Sequence, residues 1–385
     1  MARYKIGHMV FLIQKLIKNM LFYLTDSLIV KKSDSIFPTI KRSIRLLAMS
    51  TFECMHLLRG DENVLSYYEK EFVGDDVAYP IIHYLVERPT TANVIPSDIC
   101  NYIEVINGVP RDTVKDGHHI KQVNYDYFTD SSKVQPMRIA VEDLDDCKFY
   151  DYVLYWYLKE NSLKFSYEYT PVPGGGSNME DNVKDILQRG FMVTCIADSD
   201  KKFKEQADDP ESTGYKCSRI TCPEGGIYYF LMLNVHELEN LIPHNHFNAL
   251  KWIEQGLKDK NDFFHLCGKA ESDQLLPYFD IKEGIKKKHI KALGASYYAY
   301  AERCCNLHPT LMGGKSFKDY YDSLASDEDY VYPRLRKRLM NDLADGYKTR
   351  SLPYPILMVY QFDEWNRIAK LLLDVACAKN PEAMM

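Results

Sequence analysis

The chain lacks an apolar run long enough to cross a bilayer, for which about 20 unbroken residues are needed. Its most apolar stretch, Ile6 to Leu24, is interrupted by Lys15 and Lys18. A secretory signal, with a clean apolar block and a small-residue cleavage site, is not expected either. Cysteine is sparse: ten residues (Cys54, Cys100, Cys147, Cys195, Cys217, Cys222, Cys267, Cys304, Cys305 and Cys377) are scattered over 385 positions. That spacing excludes a small disulfide scaffold and leads us to expect a reducing, cytoplasmic setting. Internal repeats and low-complexity tracts are missing. What is present is ordinary globular composition, 46% hydrophobic and 26% charged, which excludes wholesale disorder and fibrous architecture. At this length two or three domains are expected. The 29 tyrosines enrich amphipathic surface without identifying a chemistry.

Charge is unevenly placed. Residues 1–45 hold nine Lys or Arg against Asp26 and Asp34, a net +7, so the remainder carries −13 to give the total of −6. Such an arm suits an anionic partner or a solvated basic face. Within it, Ile6, Met9, Val10, Ile13, Leu16, Ile17, Met20, Leu21 and Leu24 fall at helical spacing, which predicts an amphipathic helix.

Four regions are expected: a helical region over 1–110, a linker over 111–136, an α/β unit over 137–246, and a helical region over 247–385. The linker is suggested by turn residues such as Asp116-Gly117. In the α/β unit, Met137 to Val141 reads as a strand and Asp145 to Glu160 as an aromatic-rich helix. Leu163 to Val172 alternates like a strand, and Gly174-Gly175-Gly176 breaks the chain before a helix starting near Asn178. Phe191 to Ala197 is a near-continuous apolar run, expected of a strand covered on both faces. Strands alternating with helices predict a largely parallel sheet. Glu224-Gly225-Gly226 suggests a hairpin between Arg219–Pro223 and Ile227–Leu233, and Asp363 could cap a last helix bearing Trp365, Ile368, Leu372 and Val375.

Acidic residues gather where these strands end, the edge at which open α/β sheets bind ligands. The first ends in Glu142, then Asp143, Asp145 and Asp146; the apolar one in Asp198-Ser199-Asp200; the later one in His236-Glu237-Leu238-Glu239-Asn240. Crowded carboxylates do not stay ionised without a cation. Hard oxygen donors select Mg²⁺ or Mn²⁺, and two such ions suit phosphoryl chemistry. Asp198 and Asp200, two apart, would share a face of an extended backbone. Asp145 and Asp146 also suit helix capping, and Asn240 suits backbone satisfaction better than substrate binding.

The segments "IAVEDLDD", the Gly174–Gly176 turn, "VTCIADSD" and "LNVHELENLIP" resemble, in order, the motifs of the TOPRIM catalytic domain. That domain occurs in type IA topoisomerases, bacterial primases and overcoming-lysogenization-defect (OLD) nucleases. Together with "YFDIKEGI" (Tyr278 to Ile285), the likeness points to stand-alone TOPRIM-like nucleases encoded beside ABC-type ATPases in bacterial anti-phage systems. It covers about Met137 to His289. It implies a mostly parallel TOPRIM-like sheet flanked by helical N- and C-terminal regions. It assigns metal or acid/base duty to Glu142, metal ligation to Asp198 and Asp200, and a further acidic position to Glu237 or Glu239. Asp146 fits the acidic position four after Glu142, and Lys282 a lysine facing the transition-state phosphate. Asp143 departs from the pattern, since many relatives carry glycine there.

The resulting expectation is a Mg²⁺- or Mn²⁺-dependent nuclease acting on DNA or RNA. It would be the effector of a defence system governed by a separate ATPase, and a homo-oligomer is compatible. The alternatives are a non-catalytic adaptor binding a protein or nucleic acid, and primase-like nucleotidyl transfer. Other motifs are weaker. "MGGKS" (Met312 to Ser316) lacks the first P-loop glycine, since Pro309 stands there, and no strand leads in. Cys217 and Cys222 with His236, His244 and His246 have poor zinc spacing. Gly174–Gly176 suits a phosphate cradle or a tight turn. Two basic clusters, Lys282/Lys286/Lys287/Lys288/Lys291 and Arg334/Arg336/Lys337/Arg338, suit a phosphate backbone or a solvated face.

Overall fold

Short apolar runs that stop at acidic turns become parallel strands in this chain, and they build two sheets. The computed structural model describes residues 20–53, 55–163, 165–167, 169–223, 226–250, 272–335 and 338–379. The first sheet contains β1 (Leu21–Leu24), β2 (Leu57–Gly60), β3 (Asn101–Ile106), β4 (Asp112–Lys115) and β5 (His118–Asn124), in the order β2-β1-β3-β5-β4. The first four in that order are parallel and β4 is antiparallel to β5. Helices α1 (Phe37–Phe52), α2 (Glu62–Glu71) and α3 (Ala78–Val86) share its core through Ile44, Tyr68 and Ile82, packed with Phe22 and Phe128.

This corrects the expectation of a helical region followed by a linker. Four-residue parallel strands are too short to display a period of two, and their apolar residues also fit a helical repeat. Met20 to Leu24, read as the end of an amphipathic helix, is strand β1 with its lead-in residue; positions 1–19 lie outside the described residues. Asp116-Gly117 is a two-residue hairpin loop, both residues at positive φ, joining β4 to β5 within the supposed linker.

The second sheet is built from β6 (Arg138–Val141), β8 (Thr170–Pro173), β9 (Val193–Ala197) and β10 (Tyr228–Met232), while the short β7 (Phe165–Tyr167) lies outside it. Its order is β10-β9-β6-β8 and every pairing is parallel, giving a mixed α/β fold with a mostly parallel central sheet. Pro171 and Pro173 place β8 at the edge, because proline has no N–H for a second neighbour. Every residue of β9 is buried, and its side chains alternate between two layers. Val193, Cys195 and Ala197 pack with Val183 and Ile186 of α5 (Met179–Gln188) and Cys217 of α6 (Thr213–Ser218). Ile196 lies in the larger core that holds Phe149 and Val153 of α4 (Leu144–Glu160).

The hairpin expected across Glu224-Gly225-Gly226 does not form among the described residues; Tyr228–Met232 instead pairs parallel to β9. Positions 224 and 225 lie outside them. The C-terminal region carries α7 (Lys287–Leu293), α8 (Ala295–Leu307), α9 (Phe317–Ser323), α10 (Leu339–Thr349) and α11 (Val359–Ala376), but also strands. β11 (Ile285–Lys286) pairs with β12 (Tyr330–Tyr332), and β13 (Cys377–Lys379) pairs with β7. Helix α11 begins four residues before Asp363, which therefore does not cap it. No helix among the described residues is long and apolar enough to cross a membrane.

Helix α11 clamps the central unit. Trp365, fully buried, meets Phe149 at 5.5 Å and Trp156 at 5.2 Å, both edge-to-face, and its indole N–H donates to Leu241 O at 3.0 Å. Trp365→Ala should lower the unfolding free energy by about 3–5 kcal/mol, the usual cost of emptying an aromatic core position. Trp365→Phe should cost less, because only the N–H bond and part of the ring are lost; urea unfolding of both variants measures the difference.

Candidate functional site

Strands β10, β9 and β6 are neighbours, so their carboxyl ends deliver side chains to one edge. Glu142 follows β6 directly, Asp198 follows β9, and the loop after β10 brings His236, Glu237 and Glu239. The Asp198 backbone N–H faces the Glu142 carboxylate and favours its ionised form. Backbone bonds stitch the loops together. Asp200 N–H donates to His236 O at 3.0 Å, Ser199 Oγ to Val235 O at 2.6 Å, and His236 N–H to Pro277 O at 2.7 Å. Gly214 is required here, since a Cβ on it would stand 2.3 Å from Asp198 O.

The carboxyls repel one another. Burial, then Asp200, raises Glu142, while Lys282 and the Asp198 N–H pull the other way. Asp198 is pushed well above the carboxylate range by burial, then Glu142 and Glu239. Burial raises Glu237 to about 7, against the lowering effect of His236 and Lys282. Asp146 also rises to about 7, mainly by burial. Lys282 lies 3.3 Å from Glu237 and 3.2 Å from Glu239. Burial opposes its charge, but Glu239, Glu237 and Asp198 outweigh that and hold the ammonium above its usual range.

The expected residues thus converge, with differences in detail. Asp200 sits at φ 58, so the chain bends instead of continuing the strand, and the shared-face argument for Asp198 and Asp200 does not apply. Both Glu237 and Glu239 reach Lys282, because residues 238–241 form a 3₁₀ turn in which positions two apart no longer point oppositely. Asp143 caps α4 by accepting from Asp145 N–H at 3.0 Å, and Asp146 completes a capping box by accepting from Asp143 N–H at 2.9 Å. Asp146 therefore serves the helix while facing the acidic group. Asp145 turns away to Lys148 and Asn341, each at 2.6 Å. Asn240 donates to Leu276 O and Phe279 O, as expected of a residue that satisfies backbone.

Sequence reasoning missed Asp280 and Lys202, and it grouped His236 with the wrong partners. Asp280 lies 2.9 Å from Lys202, and His236 Nε2 lies 3.5 Å from Asp280 and 3.9 Å from Glu237. Burial opposes ionisation of Asp280, yet His236 and Lys202 hold its carboxyl far below the usual range. Among the described residues, His236, Glu237 and Asp280 are the group whose ligand atoms all lie within 4.8 Å of one another. Asp280 stands in "YFDIKEGI", whose turn needs Gly284: φ is 68, and a Cβ would meet Tyr332 O at 2.6 Å. A cavity of about 630 Å³ opens onto Asp200, Lys202, His236, Glu237, Asp280 and Lys282.

The remaining motifs resolve simply. Gly174 makes a tight turn, since a Cβ there would stand 2.7 Å from Val141 O. The glycines of "MGGKS" follow a 3₁₀ turn (Pro309–Met312), not a strand. Cys217 lies in the core with Cys195, and His246 bonds Tyr347 and Pro353, so the cysteine–histidine set does not assemble. Lys286 and Lys288 pair with Glu328, Lys291 pairs with Asp327, and Lys287 donates to Leu324 O. Of that cluster only Lys282 serves the site. Arg334 and Arg338 are exposed, while Arg336 and Lys337 lie outside the described residues. No protein-family model, no curated protein and no solved structure matches the chain.

The raised carboxyls fix the sign of a pH effect. Glu237, at about 7 when folded, has an unfolded pKa near ~4.3. Its protonated form is favoured by folding, so its contribution is fully present below the unfolded value and is lost as pH rises through about 7. In EDTA, wild-type protein should lose melting temperature relative to Glu237→Gln as pH is raised from about 5 to about 8. Mg²⁺ or Mn²⁺ should restore it at the higher pH; parallel melting curves without a metal effect would contradict this reading.

Proposed function

We propose that the chain is a metal-dependent phosphodiesterase of the TOPRIM type, hydrolysing DNA or RNA. The observation that carries the reading is the meeting of half-buried Glu142 with buried Asp198 and Glu239, from three adjacent strand ends and mutually repelling, around Lys282. The donors are hard oxygens, which fit Mg²⁺ or Mn²⁺. Glu142, Asp198, Asp200 and Glu239 would hold the ions, with Asp146 behind them and Glu237 beside them across Lys282. A pair of such ions supplies an activated water and stabilises the leaving oxygen.

Around that centre the chain's own groups divide the work. Lys282 presents its ammonium where a phosphate oxygen would gather charge, and the backbone stitches hold both acidic loops in register. Glu142, raised by burial and by Asp200, holds a proton more readily than an exposed glutamate, which suits an acid/base role.

The likeness of "IAVEDLDD", "VTCIADSD", "HELENLI" and "YFDIKEGI" to TOPRIM motifs supports the same reading. It also extends the reading to an effector of anti-phage defence controlled by a separate ABC-type ATPase. The test is incubation of the purified chain with plasmid DNA and total tRNA in Mg²⁺, Mn²⁺ or EDTA. Metal-dependent cleavage is expected, falling on the order of 100-fold or more in Glu142→Ala and in Asp198→Asn. Cleavage undiminished in both variants would sink the assignment.

A further inference from the structure

We propose that His236, Glu237 and Asp280 form a second cation site, for a borderline transition metal such as Zn²⁺ or Fe²⁺, beside the all-oxygen centre. The first observation is geometric. Ligand atoms of a tetrahedral ion bound at about 2.0–2.2 Å stand about 3.3–3.6 Å apart. His236 Nε2 already lies 3.5 Å from Asp280 Oδ2 and 3.9 Å from Glu237 Oε1, and all three ligand atoms fall within 4.8 Å of one another. The second is independent of the acids. His236 is 3% exposed, yet its Nδ1 has no partner and its Nε2 only approaches Asp280 at 3.5 Å without hydrogen-bond geometry, and one oxygen of Glu237 is likewise without a hydrogen bond. A buried imidazole left so is costly unless a ligand takes its lone pair.

The backbone holds the imidazole in place. His236 N–H is bonded to Pro277 O, and its carbonyl accepts from Asp200 N–H. Asp280 is fixed by the Glu283 N–H at 2.6 Å on its other oxygen. Three protein ligands facing the cavity of about 630 Å³ leave positions for water or substrate, as catalytic sites of this kind require. An imidazole with two carboxylates prefers a borderline metal to Mg²⁺, which sets this site apart from the Glu142–Asp198–Glu239 group. Lys202 on Asp280 and Lys282 on Glu237 compete with the cation, and both can withdraw. Lys282 keeps Glu239 at 3.2 Å, and Lys202 is partly exposed.

The experiment uses the full chain, stripped with EDTA and titrated with Co²⁺ near pH 8, reading the visible ligand-field band that a tetrahedral nitrogen–oxygen site produces. One equivalent should give the band in wild type and in Glu142→Gln. Affinity should fall on the order of 10–100-fold or more in His236→Gln and in Asp280→Asn. Lys202→Gln should bind roughly tenfold more tightly, because a competing ammonium is gone. That gain cannot come from misfolding. No band in wild type, an undiminished band in His236→Gln, or no tightening in Lys202→Gln would overturn the proposal. The readout does not depend on cleavage: loss of the phosphodiesterase reading would leave the Co²⁺ result standing, and the reverse holds too.

Discussion

Everything at the carboxyl edge of the central sheet depends on repulsion among buried carboxylates. An unneutralised buried ion costs several kcal/mol, whereas a domain's whole stability is only about 5–15 kcal/mol. Glu142, Asp198 and Glu239 could not all be ionised there without compensation. The chain supplies one fixed positive charge, Lys282, from a segment outside the sheet. It also lets protons remain: Glu142, Asp198, Glu237 and Asp146 are all raised, mainly by burial. One ammonium cannot balance that many ionised carboxylates, which is the physical basis for proposing added cations here.

Holding like charges together requires a rigid frame, and the frame is mostly backbone. The loop after β9 is tied to the loop after β10 by Asp200 N–H and Ser199 Oγ, and the second loop is tied to Pro277. Helix α11 then secures the 240–242 backbone from outside. Tyr360 and Gln361 donate to Asn240 O, Gln361 also donates to Ile242 O, and Trp365 donates to Leu241 O. Trp365 in turn packs on α4, the helix that starts immediately after Glu142 and Asp143. A C-terminal element thus clamps two of the three strand ends, which local sequence patterning around the acids does not reveal.

Legibility followed how local each cause was. Strand β9 could be read because a short, continuous apolar run that stops at Asp198 fits a strand buried on both faces and is too brief for a buried helix. The glycine turn at Gly174 and the helices α4 and α5 were equally visible, since capping and periodicity act within a few residues. The first sheet was not, because Leu21–Leu24 and Leu57–Gly60 are too short to show alternation and pair with strands far away in sequence. Glu142, Asp198 and Lys282 could be named from motifs, but Lys202 could not, since nothing near it in sequence announces Asp280 as its partner. Asp280 stands inside a legible motif, yet the lysine two residues on carries the more obvious chemistry there. The lysines after Lys282 mislead in the opposite direction: their neutralising acids, Asp327 and Glu328, arrive through a distant loop.

Lys282 links the two sets of donors. It bridges Glu237, which faces His236 and Asp280, and Glu239, which faces Glu142 and Asp198. A cation that takes either glutamate weakens one of the two attractions that hold the ammonium, and cations on both remove its anchors. The side chain is long and its ammonium sits beside the cavity, so losing those partners turns it toward whatever anion enters. Under the proposed function, metal occupancy and anion binding would be linked through one side chain: Lys282 pairs with the protein's own carboxylates, and cations on those carboxylates would free it for a phosphate. The same charge balance would then make the basic group of this site conditional on metal.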